Sequence, residues 1–190
     1  MATPSRQGRY RYSYEEYLAY ERDSGMKHDY EDGEIVAMAG GSRRHNALAS
    51  RVCAALENTR GARCIAFQSD QRIRILATGK ATYPDASMVR GPIEGDPSDV
   101  TGATITNPTL LVEVLSPTTE QEDRGSKRQH YQLVPSLQEL VLVSQSHARV
   151  EWYRRLPTGG WEYHDVTEGV VQLPSGVQLD LARLYAELPD

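Results

Sequence analysis

The chain carries no C-x-x-C pair and no H-E-x-x-H string, which removes the common zinc sites. It also lacks a glycine-rich phosphate loop, a dinucleotide fingerprint and a G-x-S-x-G elbow. Nucleotide-driven chemistry, organic cofactors of the nicotinamide type and α/β-type serine hydrolysis lose their sequence support with them. Cysteine is scarce: Cys53 and Cys64 are the only two, and they read as thiols of a cytoplasmic protein rather than as a disulfide framework. Long apolar runs are missing as well. "ELVLV" and "PTLLV" are far too short to cross a bilayer, and the start, "MATPSRQGRYRYSY", has basic residues with no apolar stretch behind them, so no secretory leader is expected. Basic excess is absent too. With 21 basic and 26 acidic residues the net charge is -5, which disfavours a protein that coats nucleic acid through lysine and arginine. A nuclease is still compatible, because a bound metal or a locally basic cleft supplies charge that a whole-chain count omits.

What is present fits one globular domain spanning 1–190, with 39% hydrophobic and 25% charged residues. Ser13 with Glu16 three residues on predicts a capped helix over 14–23. Asp32-Gly33 between extended stretches predicts a hairpin. Ser42 begins a second helix, with Leu48, Val52, Ala55 and Leu56 at helical spacing and Gly61 as its stop. "RCIAFQ", "QRIRILA" and "TYPDASMVR" read as three strands, 91–107 as a surface loop, and "PTLLVEVLS" as an apolar strand ended by Ser116-Pro117-Thr118. "TEQEDRGSKRQHYQLV" reads as a helix weakened at Gly125. "LQELVLVSQ", "ARVEWYRR" and "GWEYHDV" form a meander, and a short helix over 180–187 closes the chain. The mixture predicts an α+β or mixed α/β fold, one bent central sheet flanked by helices, with the core over about 27–155.

Two carboxylates stand out. Glu113 interrupts "LLVEVL", where an unpaired buried charge would be costly, although period-2 alternation equally allows it to face solvent. Asp85 in "YPDASMV" is a second acid in an apolar-leaning stretch, and Pro84-Asp85 equally suits a plain turn. Together on neighbouring strands they would make a divalent-cation site of the kind magnesium prefers. Asp123, Lys127 and Tyr131 follow at i, i+4 and i+8 and share one helix face, which alone could be an ordinary solvent-facing Asp–Lys pair.

Pro84-Asp85 followed by Glu113 in an apolar strand resembles the PD-(D/E)xK nuclease superfamily. "YEDGEIVAMAGGSRRH", "YPDASMV", "PTLLVEVLSPTTEQEDRGSKRQHY" and "LQELVLV" resemble, more narrowly, the Uma-type restriction-endonuclease family from about Tyr30 to Tyr153. The resemblance implies a restriction-endonuclease-like fold and a Mg2+-dependent endonuclease acting on DNA, with Mn2+ as the substitute ion. Asp85, Glu113 and the Val114 backbone carbonyl would hold the metal. Glu34 and His45 would lie near it, Glu34 as a further acidic ligand and His45 as a donor to phosphate at its helix N-terminus. Asp123 and Tyr131 would support the site, and Arg43, Arg44 and Arg124, with Arg128, would meet substrate phosphates. A homodimer, cutting both strands, is the expected assembly.

One departure carries weight. The superfamily pattern places lysine two residues after the acidic ligand, and here that position is Leu115. Lys127 is the replacement that the family resemblance implies. The alternative is a catalytically degenerate binding or partner module, which the missing lysine and acidic net charge motivate. DNA versus RNA and any sequence preference are open at this stage.

Overall fold

A computed structural model describes residues 10–59 and 64–189. The basic start of the chain and Gly61, the expected helix stop, lie outside these residues. Helix α1 spans Tyr14–Asp23 and opens with a reciprocal capping box: the Ser13 Oγ accepts from the Glu16 N–H at 3.2 Å, and Glu16 accepts from the Ser13 N–H at 2.6 Å. Its Tyr14 and Tyr17 pack on Tyr30 and Ala81. Ser13→Ala removes the side-chain half of the cap and should lower stability by about 1 kcal/mol. A urea melt with an unshifted midpoint would contradict that.

Strands β1 (His28–Glu31) and β2 (Glu34–Ala37) form the expected hairpin. Asp32 (φ 49°) and Gly33 (φ 79°) both take the left-handed conformation that a two-residue turn of this kind needs. His28 and Tyr30 turn toward α1, while Asp29 and Glu31 occupy the other face of β1. Helix α2 (Arg43–Thr59) starts at Ser42, whose Oγ accepts from the His45 N–H at 3.1 Å.

Strands β3 (Cys64–Gln68) and β4 (Arg72–Ile75) form as expected. The stretch read as a single strand, "TYPDASMVR", does not. It splits into β5 (Lys80–Thr82), which pairs with β1 and β4, and β6 (Ala86–Arg90), which pairs with β3 and β8. Tyr83-Pro84-Asp85 is the link between the two sheets, and proline, having no N–H to give the ladder, is where the strand breaks. The loop over 91–107 contributes β7 (Thr104–Ile105), parallel to β4.

Strands β8 (Leu110–Leu115) and β9 (Glu139–Ser144) lie parallel, and β10 (Val150–Arg155) and β11 (Trp161–Val166) continue antiparallel. Rather than one bent sheet with an added meander, the strands divide into a five-stranded sheet, β2-β1-β5-β4-β7, and a six-stranded sheet, β11-β10-β9-β8-β6-β3. The meander is half of the second sheet. A small hairpin, β12 (Val170–Gln172) with β13 (Gln178–Asp180), was not foreseen, and the closing helix α5 covers only Leu181–Tyr185.

Both faces of the six-stranded sheet are covered. Leu48, Val52 and Leu56 of α2 pack on Val112, Val114, Val141 and Val143. On the other face Leu111, Leu115, Leu140 and Leu142 meet Tyr131, Val134 and Leu137, with Ile73 and Ile75 of β4. Every residue of β8 is therefore buried, the pattern of a strand covered on both sides. Glu113 shares the face of Leu111 and Leu115, so the solvent-facing alternative does not hold.

Candidate active site

The helical segment after β8 is built in three pieces: α3 (Glu120–Glu122), a π-helical turn (Asp123–Lys127) and α4 (Arg128–Gln132). Gly125, the expected weak point, takes a non-helical conformation inside the wide turn. In a regular α-helix each i, i+4 step drifts by roughly 40° around the axis. The wider turn takes that drift back, so Asp123, Lys127 and Tyr131 stay aligned and all three are buried. They face Glu113. The Lys127 Nζ lies 2.9 Å from Glu113 Oε1 and 3.4 Å from Asp123 Oδ1, and the Tyr131 hydroxyl donates to Glu113 Oε1 at 2.5 Å.

Asp85 sits where β6 begins. Its Oδ2 accepts from the Val114 N–H at 2.7 Å, and the His45 Nε2 lies 3.2 Å from the same oxygen. Within a strand a residue's N–H and C=O point to the same side, so the Val114 carbonyl also lies on the Asp85 side of β8, beyond the end of β6. Gly41 packs so closely on His45 that a Cβ there would lie 2.5 Å from Nδ1. Only glycine fits that approach.

Asp85, Glu113, Val114, His45, Asp123 and Lys127 line a cleft of 350 Å³, with Tyr131 behind Glu113. Its walls are the small-residue stretch Met38–Ser42, the turn Ser116–Thr119 and Gln145, with Tyr83 beside Asp85. Ser116 ends the strand as expected, its Oγ 2.9 Å and 3.0 Å from the Thr118 and Thr119 hydroxyls.

Burial pushes the Glu113 carboxyl up to about 8; Lys127 pulls against it, Asp123 and Asp85 add to the push, and Tyr131 pulls down again. For Lys127, burial pulls the ammonium down, but Glu113, Tyr131, Asp123 and Asp29 outweigh it and hold it above the usual lysine range. His45 is raised by its hydrogen bond to Asp85, against the pull of burial.

Asp85, Glu113, Val114, His45, Asp123, Lys127 and Tyr131 come together, as the sequence anticipated. Glu34 does not join them: it lies opposite Glu31 in β2 and does not line the cleft. Arg44 donates from Nε to the Gln145 carbonyl at 2.7 Å, and Arg124 is engaged by Glu120 and by Glu151. Arg128 donates to the Arg124 carbonyl at 2.9 Å. Neither Arg43 nor these three lines the cleft. The sequence reading missed Gln145 and Tyr83. Gln145 was findable: it follows β9, and parallel strands bring their carboxyl ends to the same side, next to Ser116.

A family model described as "Uma2: Putative restriction endonuclease" matches residues 14–185. The chain belongs to the Uma2 family. Two relatives from Synechocystis sp., both uncharacterized proteins, are similar to it in sequence. One is 38% identical over 77% of this chain and 76% of its own length, the other 33% identical over 77% and 82%. Among solved structures, the Uma2 chain resembles a putative nuclease belonging to DUF820 from Anabaena variabilis, with a TM-score of 0.71 and 20% identity over 92% of this chain and 97% of that one. The restriction-endonuclease-like fold expected from the sequence is therefore the fold found, and the family is nuclease-like. Among the described residues, no helix is long and apolar enough to cross a membrane.

Proposed function

We propose that this Uma2 chain is a Mg2+-dependent endonuclease that hydrolyses phosphodiester bonds in DNA. The observation that carries the reading is the placement of Lys127 at 2.9 Å from Glu113. The lysine absent at Leu115 is supplied in space by a helix on the same face of the sheet. Leu115 itself belongs to the apolar cluster that seats Tyr131. That placement supports the endonuclease reading over the degenerate module.

The donor set suits a hard divalent cation: two carboxylates, Asp85 and Glu113, and the Val114 carbonyl. Among the described residues no group of three or more His, Cys, Asp or Glu side chains is arranged to hold a metal, and magnesium, which keeps several waters and takes one or two carboxylates, needs none. When bound, the ion would polarise the phosphate and acidify a coordinated water. The remaining work belongs to the chain. The Val114 N–H and His45 fix the Asp85 carboxylate, and Tyr131 and Lys127 fix Glu113. Lys127, with a proton to hold or release next to Glu113, orients the attacking water, and His45 at the start of α2 meets the phosphate.

Lys127→Met should slow plasmid nicking in Mg2+ by roughly a hundredfold, the low end of general acid–base contributions. Calorimetry should still register Mn2+ binding through Asp85 and Glu113. A variant that nicks at the wild-type rate would sink the lysine's role. Wild-type protein that binds no divalent ion and never nicks would leave the binding-module reading in its place.

A further inference from the structure

We propose that Glu151 is a positioning residue: through Arg124 it sets the rotation of the π-helical turn that presents Lys127 to Glu113. In the six-stranded sheet Leu142 of β9 pairs with Glu113 of β8 on one side and with Glu151 of β10 on the other. Residues directly opposite one another in a sheet share a face, so the two glutamates point to the same side, about 10 Å apart across two strand spacings. Both are buried. The helical segment after β8 crosses this row and meets both. Its flank of Lys127 and Tyr131 faces Glu113. Its other flank faces β10: Arg124 Nη1 pairs with Glu151 Oε2, and one turn on the Arg128 guanidinium lies 5.2 Å from the centre of the Tyr153 ring.

The sheet holds Glu151 independently of the turn. Tyr163 of β11 donates to its Oε1 at 2.7 Å, and the Arg149 Nη2 lies 3.4 Å from the same oxygen. Arg149 is itself held by both oxygens of Asp165, each at 2.9 Å, and Asp165 stands directly opposite Glu151 in β11. The strands thus fix the carboxylate and leave its Oε2 toward Arg124. A second pin matters because Gly125 lies between Arg124 and Lys127 in a non-helical conformation. Glycine has the freest backbone of any residue, so the hydrogen bonds of a regular helix do not by themselves fix how Lys127 is turned. Anchored at Glu151 on one side of the glycine and at Glu113 on the other, the turn takes the rotation that satisfies both charges. When Glu113 is engaged by a cation, the Arg124–Glu151 pair still holds the segment that carries the lysine. The catalytic half of this inference rests on the endonuclease reading; the pinning of the turn by Glu151 does not.

Glu151→Gln tests this selectively. It keeps the shape and an acceptor for Tyr163 while removing the charge, and Arg124 retains Glu120 at 2.8 Å, so the fold should survive. Without added metal, amide hydrogen exchange across 120–128 should speed up at least about tenfold in this variant, with β8 and β9 unchanged. Unchanged exchange across 120–128 would overturn the proposal. In the nicking assay Glu151→Gln should cut kcat roughly tenfold to a hundredfold, with KM and Mn2+ affinity within about twofold of wild type. Arg124→Gln should match it from the other end of the pair, and Arg124→Lys should keep much of the wild-type rate. Combining Arg124→Gln with Glu151→Gln should be no slower than the slower single variant. Additive losses, or faster exchange with an unchanged kcat, would overturn the positioning role. If the wild type does not nick at all, the endonuclease reading fails, and hydrogen exchange still decides whether Glu151 pins the turn.

Discussion

Asp85→Asn and Glu113→Gln should each reduce metal-dependent nicking by at least about a thousandfold while the protein stays folded. Both substitutions keep shape and a hydrogen-bond acceptor, so the Val114 N–H and the Tyr131 hydroxyl retain partners. What each loses is the negative charge that a divalent cation needs. A cation's stabilisation of the developing phosphate charge amounts to several kcal/mol, and about 4 kcal/mol corresponds to a thousandfold in rate. The two variants should fail in the same way, with Mn2+ binding weakened by calorimetry and the thermal transition retained. The shared behaviour is the diagnostic part, because Asp85 lies in the link before β6 and Glu113 within β8, and both line the same cleft. Nicking at the wild-type rate by either variant would remove that carboxylate from the site. Loss of nicking with undiminished Mn2+ binding would move the cation elsewhere.

The residues themselves pointed to Asp85, Glu113 and one helix face, and the family resemblance was needed to join these to His45, Val114 and Lys127 as one site. A glutamate in a strand buried on both faces has few ways to be satisfied, and the i, i+4, i+8 spacing of Asp123, Lys127 and Tyr131 announces one face of a helix. The capping box at Ser13 and the turn at Asp32-Gly33 are also decided within a few residues, and both formed as expected. What escaped depends on pairing between distant segments. Whether Pro84 ends one strand or separates two is settled by which sheets claim Lys80–Thr82 and Ala86–Arg90. Glu34 misled because the hairpin that carries it contributes to the cleft through the stretch after β2, not through its first residue.

The largest effect on stability should come from Arg72 and Asp99, which lie outside the cleft but behind Tyr83. The Arg72 Nη2 lies 2.8 Å from Asp99 Oδ2, its Nε donates to Thr104 Oγ1 at 2.7 Å and its Nη1 to the Tyr83 hydroxyl at 3.0 Å. Thr104 and Thr101 both donate to Asp99 at 2.6 Å. The pair is buried and fully hydrogen-bonded, and it joins β4, β7 and the loop between β6 and β8 to the link that leads into Asp85. Arg72→Met leaves Asp99 buried without its cation, which typically costs about 3–5 kcal/mol and should lower the Tm by roughly 10 °C for a chain of this size. Acid should act on the same group. Burial opposes the Asp99 charge, but Thr101, Thr104 and Arg72 outweigh it and hold the carboxyl below its usual range near 3.8. The folded protein therefore gives up this proton more readily than the unfolded chain, so the stabilisation is complete above pH 3.8 and is lost as pH falls through the lower folded value. Asp99→Asn should be less stable than wild type near neutral pH, and the gap should close as the solution is acidified below about pH 4. Thermal melts of the two proteins across that range measure it directly, and parallel curves would mean that the charge on Asp99 contributes nothing to holding this side of the fold.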